Sequence, residues 1–328
     1  MQFIYLVLYS ILFFYLSFKF STKFKFFDIP NDEKIHKEKI PNLGGLALIP
    51  FILLMFYFFD YTQSISITLN LLFIVIIIGL VDDIKNINPQ IKLLSLFIPI
   101  YIFTKDVGTV KSLGLYLDYE ISLGSLSFIF TILCIMLLTN AYNYIDGLDG
   151  LLAINVIITF LTFYFLINEQ KNIFLPLIVF FVIYFFFNIN FLKFFPKQFI
   201  GDSGSLGIGF LVSTFLIIYT QLEKFLHPSI IIWVVAFVVY EFLAINIIRV
   251  KQGKNIFKRD LNFIFNVLDR KYSSTKSLFI CSSLHLFFCS ISILMNFFNS
   301  YLLSIILFII FFFIYLVFRY KQIFRVKT

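Results

Sequence analysis

The chain has 328 residues, 60% of them hydrophobic and only 13% charged, with a net charge of +8. A soluble domain carries about 45–50% apolar and about 25% charged residues, so this composition excludes a soluble enzyme and marks an integral membrane protein. Repeated apolar runs point to helices, because a membrane β-barrel would show only weak alternation.

The predicted elements begin with an apolar run over residues 1–18, followed by Lys19, Lys23 and Lys25. A cleaved signal peptide has its positive charge before the apolar core, so this run is read as a first transmembrane helix. Further spans are predicted near 44–59, 66–81, 91–104, 124–139, 151–168, 173–189, 204–221, 228–248, 277–296 and 300–318, eleven in all. The segment 105–123 reads as a connecting loop with a small hairpin. The fold class is therefore an all-α polytopic membrane protein, one domain over 1–328, with a long basic loop at 249–276.

Charge orients the spans. With the N-terminus outside and the C-terminus inside, 22 of the 26 Lys and Arg residues fall on the cytoplasmic side, as the positive-inside rule requires. The net charge is then accounted for by anchoring beside anionic lipid, and nothing resembles a nucleic-acid motif. The acids segregate too. Asp82, Asp83, Asp146, Asp149, Asp202 and Asp260 all fall on the inner side. A carboxylate at the bilayer centre costs roughly 2.5–3.5 kcal/mol, so acids gathered at one interface from four loops predict a shared cytoplasm-facing site.

Five stretches carry candidate chemistry. "IPNDEKIHKEKIPNLGG" (29–45) holds a basic cluster, with Lys39, before a Pro–x–x–Gly–Gly helix entry. It reads equally as phosphate recognition or as anchoring. "GLVDDIKNINPQIK" (79–92) places two adjacent carboxylates at a helix end with Lys92 downstream. Such a pair tolerates its own repulsion beside a cation, or with one member protonated. "NAYNYIDGLDGL" (140–151) sets Asn140, Asn143, Asp146 and Asp149 three residues apart. Three-residue steps lag by about 60° each on a helix, so the first three share a broad face. A break at Gly147 would return Asp149 to the same site.

"FIGDSGSLGIGF" (199–210) offers Asp202, small hydroxyls and a helix start whose free amides suit an anion. Its plainer reading is that Asp202 or Ser203 is an N-cap. The loop "RVKQGKNIFKRDLNFIFNVLDRK" (249–271) brings Lys258 and Arg259 next to Asp260, or else lies on anionic lipid as an interfacial helix. Three histidines and three cysteines, without metal or disulfide spacing, leave oxygen ligands as the only way to hold a metal. The cysteines all fall inside predicted spans and read as small buried hydrophobes.

In these motifs, their order and their spacing, the chain resembles the polyprenyl-phosphate N-acetylhexosamine-1-phosphate transferases. It is closer to the undecaprenyl-phosphate GlcNAc-1-phosphate branch than to the phospho-MurNAc-pentapeptide translocases. The resemblance runs through Pro41–Gly45, Gly79–Asp83 with Lys92, Asn140–Leu151 and Gly201–Phe210. It implies transfer of a HexNAc-1-phosphate from a UDP-sugar to polyprenyl phosphate, giving a polyprenyl-diphospho-sugar and UMP. That is the first membrane step of a cell-envelope glycan, with Mg²⁺ or Mn²⁺ as cofactor. Its partners would be polyprenyl phosphate, a UDP-N-acetylhexosamine and the bilayer, with no nucleic acid and with a homodimer allowed. Its place would be the inner membrane, active site on the cytoplasmic face.

The resemblance also implies residue roles. Asp82 and Asp83 are the acceptor-phosphate end, with Asp83 the base, and Asp202 is the metal ligand. Asn140, Asn143, Asp146 and Asp149 bind the nucleotide sugar, and Asn190 corresponds to an Asn preceding the Gly-Asp motif. One departure stands out: where the family carries a histidine box after Asp260, this chain has Phe263, Phe265 and Asn266. Lys258 and Arg259 are the substitutes expected to meet the diphosphate. An inactive scaffold of the same family, or a secondary transporter, are the alternative readings.

Overall fold

The computed structural model describes residues 2–30, 38–169, 171–254 and 261–325. Its helices are α1 (Gln2–Lys23), α2 (Leu48–Phe58), α3 (Gln63–Lys85), α4 (Pro89–Asp106), α5 (Ser127–Ile145), α6 (Leu151–Leu166) and α7 (Lys171–Asn188). They continue with α8 (Gly201–Ile217), α9 (Pro228–Ile231), α10 (Ala236–Lys251), α11 (Ile264–Lys271), α12 (Ser274–Phe297) and α13 (Tyr301–Arg325). Local signals set several starts. Asn88 accepts the Gln90 N–H at 2.9 Å with Pro89 opening α4, and the Ser273 hydroxyl caps α12.

Every predicted apolar run is helical, but helix length does not carry a count of eleven crossings. Among the described residues, eight helices are long and apolar enough to cross a membrane, and Gly44–Phe58 and Leu151–Leu166 are shorter. At 1.5 Å per residue, the 11 residues of α2 reach about 16 Å, against roughly 30 Å of hydrocarbon. The chain is a multi-pass helical membrane protein with two small antiparallel additions. Strands β1 (Phe27–Asp28) and β2 (Ile40–Pro41) pair near the motif-bearing end. Strands β3 (Ser112–Tyr116) and β4 (Tyr119–Ser122) form a hairpin in the predicted 105–123 loop, with Leu117 and Asp118 both at positive φ, as a tight two-residue hairpin turn requires.

Helix α8 is the axis of the molecule, buried along nearly its whole length and packed against α3 and α5. The α3–α8 contact is close because Gly79 has no side chain. A Cβ there would come within 3.0 Å of the Ser203 and Asp202 backbone. Close approach over small residues is how helices associate in lipid, where burial of apolar surface gives little drive. Elsewhere α6 packs on α7 and α12, α1 on α7, and α10 on α13. The acid-bearing motifs at 79–92, 140–151 and 199–210 meet at one end of this bundle, and Asp260 lies outside the described residues. The β3–β4 hairpin sits at the other, held by Gln221, whose side chain accepts the Lys111 N–H at 2.9 Å and donates to the Ser112 carbonyl at 3.0 Å.

Candidate active site

The motif end encloses a cavity of about 590 Å³ between the ends of α3, α5, α7 and α8. Seven carboxylates line it: Asp28, Glu38, Asp82, Asp83, Asp146, Asp149 and Asp202. Among the described residues one cation, Lys197, joins them in the lining, and it is ion-paired with Asp149.

Asp82 and Asp83 end α3 and point to different partners. Asp83 caps α8: its Oδ1 accepts the Asp202 N–H at 2.7 Å and its Oδ2 the Ser203 N–H at 3.0 Å. Those are amides a helix start leaves unpaired, and the positive end of the helix favours a carboxylate there. The N-cap expected of Asp202 or Ser203 is therefore supplied from another helix, and Asp202 is left facing the cavity. Gly201 makes the approach feasible. Its φ is +72°, and a Cβ would collide with the Asn42 carbonyl and the Asp83 carboxylate. Asp82 accepts the Ile87 N–H at 2.8 Å and pairs with Lys92 at 2.9 Å.

Lys92 bridges Asp82 and Asp202, tying α3, α4 and α8 at one point. It lies behind the two acids and does not line the cavity. Asp202 is held on its other oxygen by Asn143, whose amide donates to Asp202 Oδ1 and to Ser205 Oγ, each at 2.9 Å. Helix α5 ends at Ile145, just before the glycine at which a break was expected, and Asp146, Gly147 and Asp149 turn into the cavity wall.

Several predicted residues stand elsewhere. Asn140 donates to the Met136 carbonyl of its own helix at 2.8 Å and does not line the cavity, so the shared face shrinks to Asn143 and Asp146. Asn190 is not in the lining. Asn188 is, because α7 ends there: it accepts the Gly150 N–H and donates to the Gln198 carbonyl at 3.3 Å, joining two motif loops. Lys39 is exposed and outside the lining, where its neighbour Glu38 takes part. Lys258 and Arg259 lie outside the described residues.

At the departing histidine box the three substitutes divide. Phe263 and Phe265 are buried and stack at 5.5 Å, while Asn266 is buried and lines the cavity. Asn188 and Lys197 are not among the residues the sequence singles out, whereas Asn266 stands at a histidine-box position. A lone polar residue at the end of an aromatic run gave the only hint of the first.

Comparison with known proteins fits this geometry. Residues 64–220 match the model of glycosyl transferase family 4, a region running from α3 to the end of α8 and holding Asp82, Asp83, Lys92, Asn143 and Asp202. Residues 64–220 thus form a region similar to glycosyl transferase family 4. It is 26% identical over 294 residues to the undecaprenyl-phosphate alpha-N-acetylglucosaminyl 1-phosphate transferase of Yersinia pestis, covering 86% of this chain and 80% of that one. It is 27% identical over 286 residues to the same-named protein of Escherichia coli K12, covering 84% and 78%. A probable undecaprenyl-phosphate N-acetylglucosaminyl 1-phosphate transferase of Bacillus subtilis is 30% identical over 191 residues, covering 57% of this chain and 53% of its own. Glu241 and Asn266 lie beyond the matched region.

Proposed function

We propose that the chain transfers a HexNAc-1-phosphate from a UDP-N-acetylhexosamine to a polyprenyl phosphate such as undecaprenyl phosphate, releasing UMP. One observation carries the reading: the family's acids converge on one cavity, with Asp202 held between Lys92 and Asn143. The names of the relatives supply the acceptor and the GlcNAc-type donor as the first substrates to try. In the reaction an oxygen of the lipid phosphate bonds to the sugar-bearing phosphorus, and the bond from that phosphorus to the UMP oxygen breaks.

The acceptor phosphate is already nucleophilic, so catalysis is chiefly positioning and charge neutralisation. A cavity lined by seven carboxylates repels a diphosphate, so the donor needs a cation with it. The donor set fits Mg²⁺, which takes one or two carboxylates and completes its shell with water and substrate phosphate. Among the described residues no group of three or more His, Cys, Asp or Glu side chains is arranged to hold a metal ion by itself. Asp202, with Asp82 beside it, would hold the ion, and the ion would neutralise charge on the leaving UMP. Asp83, oriented by two backbone amides, serves as the base that accepts the proton of a monoprotonated acceptor phosphate. Asn143 fixes Asp202, and Asp146, Asp149 and Lys197 form the wall facing the nucleotide sugar.

We place the cavity on the cytoplasmic face of the inner membrane, with the N-terminus outside and the C-terminus inside, on the distribution of Lys and Arg. The test uses membranes bearing the protein, undecaprenyl phosphate, Mg²⁺ and radiolabelled UDP-GlcNAc or UDP-GalNAc. A lipid-linked product that reverts on adding UMP is the expected result. No product with any UDP-HexNAc, from protein that is folded, would sink the reading and favour the scaffold alternative.

A further inference from the structure

Glu241 is an acid inside the apolar helix α10, and it is fully buried. A buried carboxylate is costly unless paired and hydrogen-bonded, so its partners show its use. From α13, Arg319 donates Nε to Oε2 at 2.9 Å and Nη2 to Oε1 at 3.0 Å, and the Tyr315 hydroxyl donates to Oε2 at 2.7 Å. From the start of α11, the Ile264 N–H donates to Oε1 at 2.7 Å. Ile264 is the first residue of α11, so Glu241 caps that helix from a neighbouring one. Arg319 reaches the same segment by donating to the Asn262 carbonyl. One ion pair thus ties the start of α11 to two membrane helices.

The segment it holds bears on the cavity. Asn266, two residues into α11, lines it. Phe263 meets the Tyr144 ring edge-on at 5.6 Å, and the Arg249 guanidinium lies 5.3 Å over Phe263. Tyr144 adjoins Asn143, the residue that holds Asp202. The aromatic pair that stands at the histidine-box positions therefore serves as a packed base, and Asn266 is the residue of the three that reaches the cavity.

We infer that the buried Glu241–Arg319 pair is a positioning device for donor recognition, fixing α11 so that Asn266 presents its amide to the nucleotide sugar. The inference rests on the transferase reading above. Neither charged residue touches substrate; both act through α11.

The experiment compares the full-length protein in nanodiscs with Glu241→Gln, Arg319→Met, Asn266→Ala and Glu241→Gln/Asn266→Ala. Each single variant is expected to raise the KM for the UDP-sugar about tenfold, with the KM for undecaprenyl phosphate changed less than about twofold. The double variant is expected to be no worse than the worse single one, since the two residues act as a unit. Hydrogen exchange of the 261–271 amides is expected to quicken in Glu241→Gln and Arg319→Met, and to stay as in the parent in α3 and α8. Additive effects, a parallel rise in both KM values, or unchanged exchange over 261–271 would each overturn the positioning role. Should Arg319→Met fail to accumulate, the isosteric Glu241→Gln carries the test. A parent protein without turnover would refute the transferase reading alone, and the exchange experiment would still judge the clamp.

Discussion

At the residue scale, the site is a set of charges that restrain one another. Lys92 stands between Asp82 and Asp202, its side chain only 13% exposed. Removing one partner from a buried ionic group leaves the others uncompensated, typically at about 3–5 kcal/mol. Lys92→Met should therefore lower the melting temperature, and millimolar Mg²⁺ should recover part of the loss by replacing the missing charge. A thermal-shift series with and without Mg²⁺ checks both halves; Lys92→Arg should behave nearly as the parent. Asn143→Asp should be more damaging than Asn143→Ala, because it sets a second carboxylate against Asp202 where an amide now donates. Initial-rate assays on the two variants decide that order. Asp202 and the Asp82–Asp83 pair were legible in the sequence because ionised groups at the ends of apolar runs are expensive to keep without a use. Asn188 and Lys197 were not, since each acquires its meaning from a partner on another loop.

At the element scale, α8 is placed by what its neighbours lack and what they lend. Gly79 lets α3 lie against the Asp202–Ser203 backbone, and Asp83, one turn further on, closes the start of α8. Overpacking a tight contact costs about 1–3 kcal/mol. Gly79→Val should therefore destabilise modestly but cut turnover more than stability, because pushing the helices apart stretches the Asp83 bonds that orient the site. Measuring melting temperature and kcat on one preparation separates the two. The hairpin β3–β4 gives the opposite case. Gln221 and His227 both attach it at the far end of the bundle, so Gln221→Ala combined with His227→Ala should loosen the hairpin, seen as faster proteolysis within 112–122, while transfer activity stays near the parent's. Helix existence followed from apolar periodicity. Helix ends and the short reach of α2 did not, because the switch from a tighter opening turn at Gly44–Ala47 into α2 depends on backbone bonds to residues 199 and 200.

At the scale of the whole molecule, one end of the bundle gathers the acids and the other carries the hairpin. If the acid end faces the cytoplasm, a reporter active only in the cytoplasm should be bright when fused after residue 328. A reporter active only outside should be bright when inserted at the β3–β4 turn, near Asp118. Signals in the reverse pattern would invert the proposed orientation and put the cavity on the side where nucleotide sugars are scarce.

Composition and pattern alone determined that this chain lives in a membrane, that it is helical, and that the acids of the 79–92, 140–151 and 199–210 motifs belong together. Water-fearing runs and misplaced charges are local costs, and local costs are written in sequence. The tertiary structure decided which of those residues share a wall. It moved Asn140 and Asn190 out of the cavity and brought Asn188, Lys197 and Asn266 in. It also showed that Asp83 serves another helix, and that Glu241 and Arg319, far apart in the chain, are one buried pair. Such facts depend on which helix ends meet. That is set by packing between segments distant in sequence, and no spacing along the chain reports it.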